Sequence, residues 1–338
     1  SPPPPPSPVV GAAAVVVDVS DCGSSSWQPT RARTAAPATM PARRAARRVG
    51  GRRTGPGYGR PAMGDRVAKA VRGADDVDAA WCTAALAGEL AGATVCAVTA
   101  EPVGTGQVAD TLRLRLTYDR PAAGPATVIA KVPSTREQSR VAARLTRTYE
   151  IEASFYRDLA PGLPVRAPRC YYADHDPESD AYVVLLEDVA PAEQGDQIAG
   201  CSQAQVEAAI DELALLHGPR WGDEALRDLA WLYRSQPENV ANLLALIEGV
   251  IPMFLTRLGE RTQAETVPVL ERLRPRLGAY LHDRPGPWTV VHGDYRADNL
   301  LFGLERVVVV DWQTVGLGPA PADVAYLLGT SLDVAPRR

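Results

Sequence analysis

Two apolar runs, Thr289-Val290-Val291 and Leu300-Leu301-Phe302, enclose His292-Gly293-Asp294-Tyr295-Arg296-Ala297-Asp298-Asn299, and a third, Val307 to Val310, leads into Asp311-Trp312-Gln313. Short β-rich runs of this kind read as buried strands. Carboxylates, an amide and a guanidinium are costly in such surroundings unless each finds a partner. The chain must therefore fold so that several strand ends converge on one polar loop. That requirement excludes a simple helical bundle and a repeat array.

The spacing narrows the chemistry. The pattern is H-x-D-x-x-x-x-N, with Asp311 twelve residues after Asn299. Phosphoryl transfer uses these residue types: one carboxylate to accept or orient an attacking hydroxyl, and an Asn with a second Asp to hold Mg²⁺ on the β and γ phosphates. Asp294 suits the first role, and Asn299 with Asp311 the second. Arg296 is placed to steady charge on the transferring phosphoryl group, and His292 to brace the loop. Two other readings stay open: the polar residues satisfy loop backbone groups, or His217, His292, Asp294 and Asp311 ligate a hydrolase metal.

Upstream residues supply complementary parts. Pro102-Val103-Gly104-Thr105-Gly106-Gln107 separates two predicted strands, and glycines there let backbone amides approach phosphates; a plain hairpin turn is the alternative. Lys131 is one of only two lysines among 36 basic residues and ends the apolar stretch Val128-Ile129-Ala130. That is where a kinase places the lysine pairing with the α and β phosphates, unless it is a solvent-facing strand residue. Its carboxylate partner is expected on the next helix, Glu152 first and Glu150 second. Leu186-Glu187-Asp188-Val189 follows a strand, so the Glu187 and Val189 backbone can meet an adenine edge.

Around these motifs the sequence predicts an α+β fold. A helix from Asp76 to Leu90 is capped by Asp75 or Asp76. Strands follow at Thr94–Thr99, Thr111–Thr117 and Pro125–Val132, then a long helix over Glu137–Leu159 and a strand over Tyr182–Leu186. Beyond Ala190 helices are expected over Gln203–His217, Glu224–Tyr233, Val240–Leu258 and Val267–Leu281, with strands at Thr289–His292, Leu300–Phe302 and Arg306–Val310. The division is a Pro/Ala/Arg-rich, disordered extension over 1–62, a nucleotide-binding lobe over 63–189 and a lobe over 190–338 with the catalytic loop, metal site and acceptor pocket. Met63-Gly64-Asp65 reads as a native start.

Composition removes other classes. With 46% hydrophobic and 22% charged residues, the chain can build a sizeable core. Its net charge of -4 combines +7 over residues 1–62 with -11 over 63–338, so the folded part is not expected to bind nucleic acid. The apolar runs fall short of the roughly 20 residues a membrane helix needs, and no secretory signal is legible, so a cytoplasmic location is expected. Five scattered cysteines form no CxxC pair and read as free thiols. No Ser, Cys or His is placed with its own base as a nucleophile, so transfer without a phosphoenzyme is expected.

HGDYRADN with DWQ, preceded by VGTGQ, VIAKVPS, YEIEASFY, LLEDV and LALLHGPRW, resembles the aminoglycoside phosphotransferase and choline kinase superfamily, in particular its ecdysteroid-kinase-like (CHK-kinase-like) branch of bacterial phosphotransferases. The resemblance runs from about Asp76 to Leu328. It implies a bilobal protein-kinase-like fold, ATP and Mg²⁺, and phosphorylation of a small-molecule hydroxyl. It also implies Asp294 as base, Asn299 and Asp311 as metal ligands, Lys131 as phosphate anchor, and Asp323 as a structural residue, most simply a helix N-cap. Such proteins continue for several helices after the D-V-A-Y-L-L stretch, so a truncated acceptor lobe is expected. A protein kinase fits less well, because eleven residues between Asp311 and Asp323 leave no room for a long activation segment. A nucleotide-binding pseudoenzyme or scaffold is the remaining alternative. The acidic Glu207, Asp211, Glu212 and Glu224 suit a cationic acceptor.

Overall fold

The computed structural model describes residues 68–337 apart from 105–107, 122, 233–236, 260–263, 283–285 and 334–336. The chain separates into Ser1–Arg60 and Pro61–Arg338, and every described residue lies in the second unit.

Three aspartates compete to start the first helix. Asp78 prevails: its Oδ1 accepts the Trp81 amide at 2.7 Å and opens α1 (Ala79–Ala85). Asp75 and Asp76 lie instead in a preceding 3₁₀ turn, Ala74–Asp76, where Asp76 accepts the Arg72 amide. The helix is shorter than periodicity predicts, although Leu86 and Leu90 are buried beyond its end. Three antiparallel strands follow, β1 (Val95–Pro102), β2 (Ala109–Tyr118) and β3 (Thr127–Pro133).

The helix predicted over Glu137–Leu159 is two helices and a wider turn. α2 (Glu137–Thr146) stops at Arg147, which is left-handed at φ 56°; α3 (Thr148–Ser154) starts there and runs into a π-helical turn, Phe155–Leu159. The break has a packing reason. Only Ala143 of α2 is buried, whereas every α3 residue except Glu150 is, so one straight axis cannot serve both. β4 (Cys170–Asp176), which the sequence pattern did not indicate because of its Asp and His residues, and β5 (Ala181–Glu187) complete a five-stranded sheet of order β1-β2-β3-β5-β4.

Alternation along the strands divides this sheet between two cores. Leu112, Leu114, Leu116, Val128, Ala130, Val132, Val183 and Leu185 pack with Cys82, Leu86 and Leu90 on one face. Tyr182, Val184 and Leu186 face the other way, into a core shared with Phe155, Leu213, Leu216, Tyr295, Leu300 and Trp312. Lys131 alternates with Val132 and so points to that second side.

After β5 come β6 (Glu193–Gln194) and α4 (Gln203–His217), which begins with a full capping box between Ser202 and Gln205. The helix predicted over Glu224–Tyr233 reduces to a 3₁₀ turn, Glu224–Asp228, pinned by buried Leu226; Tyr233 lies outside the described residues. α5 (Pro237–Leu258) and α6 (Thr266–His282) pack together through an Arg274–Glu248 ion pair. The remaining elements are β7 (Thr289–Val291), β8 (Leu300–Phe302), β9 (Val308–Val309), β10 (Gly316–Gly318) and α7 (Pro321–Ser331). β7 pairs with β10, and β8 with both β6 and β9. The result is an α+β molecule with a small antiparallel lobe and a larger, mainly helical one. Among the described residues no helix is long and apolar enough to cross a membrane, and Cys82, Cys96, Cys170 and Cys201 are free thiols; Cys22 lies outside the described residues.

Candidate active site

The loop after β7 is held by one buried carboxylate. Asp323 accepts the His292 amide at 2.8 Å and the Gly293 amide at 2.9 Å, and His217 Nε2 lies 2.9 Å from it. The N-cap of α7 is Ala320, so Asp323 is not the cap expected from sequence; within the first turn of the helix it ties two amides of the loop after β7 and α4 together. Gly293 sits at φ +83°, and a Cβ there would meet the Thr314 carbonyl oxygen at 2.6 Å. Only glycine tolerates both constraints.

His292 is fully buried, with Nε2 3.0 Å from the Val310 carbonyl and Nδ1 accepting the Asp294 amide at 3.3 Å. Both ring nitrogens are therefore engaged with the loop backbone, the contact that bracing requires. Asn299 Nδ2 donates to the Asp294 backbone oxygen at 2.8 Å and to Asp294 Oδ2 at 2.9 Å. Arg296 reaches Asp294 Oδ2 at 3.2 Å, Gln197 Oε1 at 3.0 Å and Asp298 Oδ2 at 2.6 Å. In the structure it neutralises loop carboxylates.

Residues 99–337 match the phosphotransferase enzyme family. The chain belongs to that family. The match does not single out the ecdysteroid-kinase-like branch. Acyl-CoA dehydrogenase family member 10 of Mus musculus is 39% identical over 74 residues, 21% of this chain and 7% of that protein, so the chain spans only a small part of that curated relative. Among solved structures, the streptomycin-ATP-APH(2")-IIa ternary complex is 18% identical with a TM-score of 0.41, over 68% of this chain and 70% of that one. A choline/ethanolamine kinase family protein from Mesorhizobium loti is 17% identical with a TM-score of 0.40, over 71% and 66%.

In this member of the family the small lobe meets the loop through Lys131. Its Nζ donates to Glu152 Oε1 at 2.6 Å and to Asp311 Oδ1 at 2.9 Å. Glu152 is the partner, and Glu150 pairs with Arg147 outside. Tyr182 donates to the second Glu152 oxygen at 2.6 Å, a contact the strand pattern hid. Burial works against the Lys131 charge, but Asp311 and Glu152 more than reverse it and lift its pKa above the ordinary lysine value. Burial would likewise raise Asp311; the charge and hydrogen bond of Lys131 prevail and hold its carboxyl below the usual value. Asp311 is left-handed at φ 67°, a conformation an aspartate keeps only when its surroundings impose it. Next to it Trp312 stacks on Phe155 at 4.0 Å and lies 4.7 Å from the His292 ring. That stack connects the Glu152-bearing segment, the Asp311 turn and the loop after β7.

The connection after β5 is fixed by its acidic side chains. Glu187 takes both Arg166 Nη atoms at 2.8 and 2.9 Å, and Asp188 takes Arg113 Nε at 2.7 Å. The backbone is engaged as well: the Glu187 amide donates to the Arg169 carbonyl at 2.8 Å, and the Val189 carbonyl accepts the Ala192 amide at 3.0 Å. Gly104 is left-handed at φ +72° with open space around it; Gly106 lies outside the described residues.

Two sequence readings do not survive the geometry. Among the described residues no three His, Cys, Asp or Glu side chains group as a metal cage, and His217 is committed to Asp323, so the hydrolase ligand set is not assembled. Glu212 is buried against Arg306 and the Arg166 amide, Glu224 pairs with Arg227, and Glu207 and Asp211 are exposed on α4. These acids do not line a common pocket for a cation.

Proposed function

We propose that this chain transfers the γ-phosphoryl group of ATP to a hydroxyl of a small molecule, directly and in line. The continuous polar chain Glu152–Lys131–Asp311, joined to the Asp294–Asn299 loop where the Val310 amide donates to the Asn299 carbonyl at 3.0 Å, is the observation that carries this reading. Lys131, held charged by its two carboxylates, would neutralise phosphate oxygens. Glu152, with one oxygen on Lys131 and the other on Tyr182, keeps that ammonium aimed. Asp294 is the carboxylate at the loop surface and would orient the acceptor hydroxyl and receive its proton.

Asn299 Oδ1 and the Asp311 carboxylate are hard oxygen donors. Mg²⁺ takes one or two such protein ligands and completes its shell with water and phosphate, so the donor set fits it. When bound, the ion would withdraw charge from the β and γ phosphates. Transfer without a phosphoenzyme is supported by the engagement of both His292 nitrogens and by Cys170, whose pKa burial pushes up to about 12. No observation favours a catalytically degenerate scaffold.

Isothermal titration with a nonhydrolysable ATP analogue, with and without Mg²⁺, tests the reading. Binding should depend on magnesium and disappear in Asp311→Ala. Asp294→Asn should keep nucleotide affinity and lose about 10²- to 10⁴-fold in turnover; full activity in that variant would overturn Asp294's role.

A further inference from the structure

We infer that Gln197 is a positioning residue for Asp294. Together with Asp298 it holds the Arg296 guanidinium to a one-pronged contact, which keeps one Asp294 oxygen clear of Arg296 for the acceptor hydroxyl. The inference rests on the phosphotransferase reading of the site. Arg296 touches Asp294 through Nε alone, at 3.2 Å from Oδ2, the oxygen to which Asn299 Nδ2 also donates. Its Nη1, on the other edge of the guanidinium, donates to Gln197 Oε1 at 3.0 Å and to Asp298 Oδ2 at 2.6 Å. A guanidinium and a carboxylate favour a two-pronged pair. Arg113 with Asp188, Arg147 with Glu150 and Arg306 with Glu212 each form one through Nε and Nη2. Such a pair at Asp294 would take up both of its oxygens, and the pull on Nη1 opposes it.

Gln197 is built to bear that pull. It belongs to the connection between β6 and α4, which is fastened to the catalytic loop on both flanks. The Gly195 amide donates to the Leu300 carbonyl at 2.9 Å, and a Cβ at Gly195 would meet the Ala297 carbonyl oxygen at 2.5 Å. Gln194 Nε2 donates to the Asp298 carbonyl at 2.6 Å. Farther on, the Cys201 amide donates to the Ser331 carbonyl at 2.6 Å, and Ser331 Oγ accepts the Ala297 amide at 3.2 Å. Between these anchors Asp196 Oδ1 accepts the Ile198 and Ala199 amides. The Gln197 amide donates to Asp298 Oδ1 at 2.8 Å, so Gln197 fixes the carboxylate that shares Nη1 with its own side chain. A neutral amide oxygen holds Nη1 without adding a further carboxylate to compete with Asp294 for the arginine charge. In transfer the acceptor oxygen bonds to the γ-phosphorus as the bond from that phosphorus to the β–γ bridging oxygen breaks. The nucleoside diphosphate leaves with that electron pair, and the hydroxyl proton passes to the Asp294 oxygen that Arg296 leaves clear.

The test compares the full chain as wild type, Gln197→Met, Gln197→Glu, Arg296→Met and Gln197→Met/Arg296→Met. Each is crystallised and assayed for phosphate release from MgATP with water as the acceptor, and its unfolding midpoint is measured. In Gln197→Met, which keeps the side-chain length and loses the oxygen, Arg296 should close on Asp294 with both Nε and Nη2. Its kcat should fall about tenfold or more at unchanged KM for the nucleotide. Gln197→Glu should restore the one-pronged contact and most of the turnover, and Gln197→Met should change nothing further once Arg296 is methionine. A merely structural role would lower turnover in step with the unfolding midpoint in both Gln197 variants and would persist without Arg296. A one-pronged Arg296 in Gln197→Met, or an equal loss in the Arg296→Met background, overturns the inference and leaves the phosphotransferase reading standing if wild type binds the nucleotide. Absence of nucleotide binding by folded wild type overturns both.

Discussion

Asp323 serves two backbone amides and one imidazole from a position with 1% of its surface exposed. Replacing it by alanine leaves those donors buried without an acceptor, each worth about 1–3 kcal/mol. Asp323→Ala is therefore expected to lower unfolding free energy by about 3 kcal/mol or more in urea titration, and to depress turnover well beyond any change in nucleotide affinity. Gly293→Ala should cost about 1–3 kcal/mol by the same measurement, because φ +83° and the Thr314 carbonyl at 2.6 Å both oppose a Cβ. Unchanged stability in either variant would show that the loop is held by something else. At this scale Asp323 was legible as structural, but which amides it holds depends on α7 lying beside β7. Arg296 was legible as a cation near Asp294, but Gln197 and Asp298, which commit it to the loop, are neighbours only in space.

Among the elements, the join between β5 and the following segment depends on Asp188, whose side chain is 4% exposed. Burial would raise its pKa, yet the hydrogen bonds from Arg113 and Thr127 outweigh that and hold it below its ordinary 3.8. A carboxyl depressed in the folded state stabilises fully above its unfolded pKa, and this contribution fades as pH falls through the folded value. The stability gap between wild type and Asp188→Asn should thus be present at pH 7, at about 2 kcal/mol, and close as pH drops below 3.8. A gap that stays constant to pH 2 would remove the ion pair as its cause. Elements were read well where one strong period runs through them, as in α4, whose predicted limits Gln203 and His217 are those observed. They were misread where the packing partner changes partway. The α2–α3 break at Arg147 separates an exposed helix from one buried nearly all round, and no local pattern announces that a chain will enter a core.

For the molecule as a whole, the core on the inner face of the sheet is continuous with the one under the catalytic loop. Phe155 stands at the join, fully buried and stacked on Trp312. Phe155→Ala should lower stability by about 3–5 kcal/mol and move one cooperative calorimetric transition without splitting it; two separated transitions would show that the lobes fold apart. A nonhydrolysable ATP analogue with Mg²⁺ should raise the wild-type midpoint by mass action, by about 2.7 kcal/mol at a hundred times Kd, and should do much less in Lys131→Ala.

By itself the sequence determined the chemistry available: a carboxylate, an amide and a second carboxylate at fixed spacing, one lysine in an apolar strand, and a glutamate on the segment after it. Those are local facts, set by residue type and by the periods of strand and helix. Only the tertiary structure decided which glutamate meets Lys131, that Asp311 lies 2.9 Å from the same ammonium, and that Asp323 holds the loop. Each of those contacts joins residues from different elements, and their distances depend on how the elements pack, which side-chain order along the chain does not encode until burial and hydrogen bonding are satisfied together.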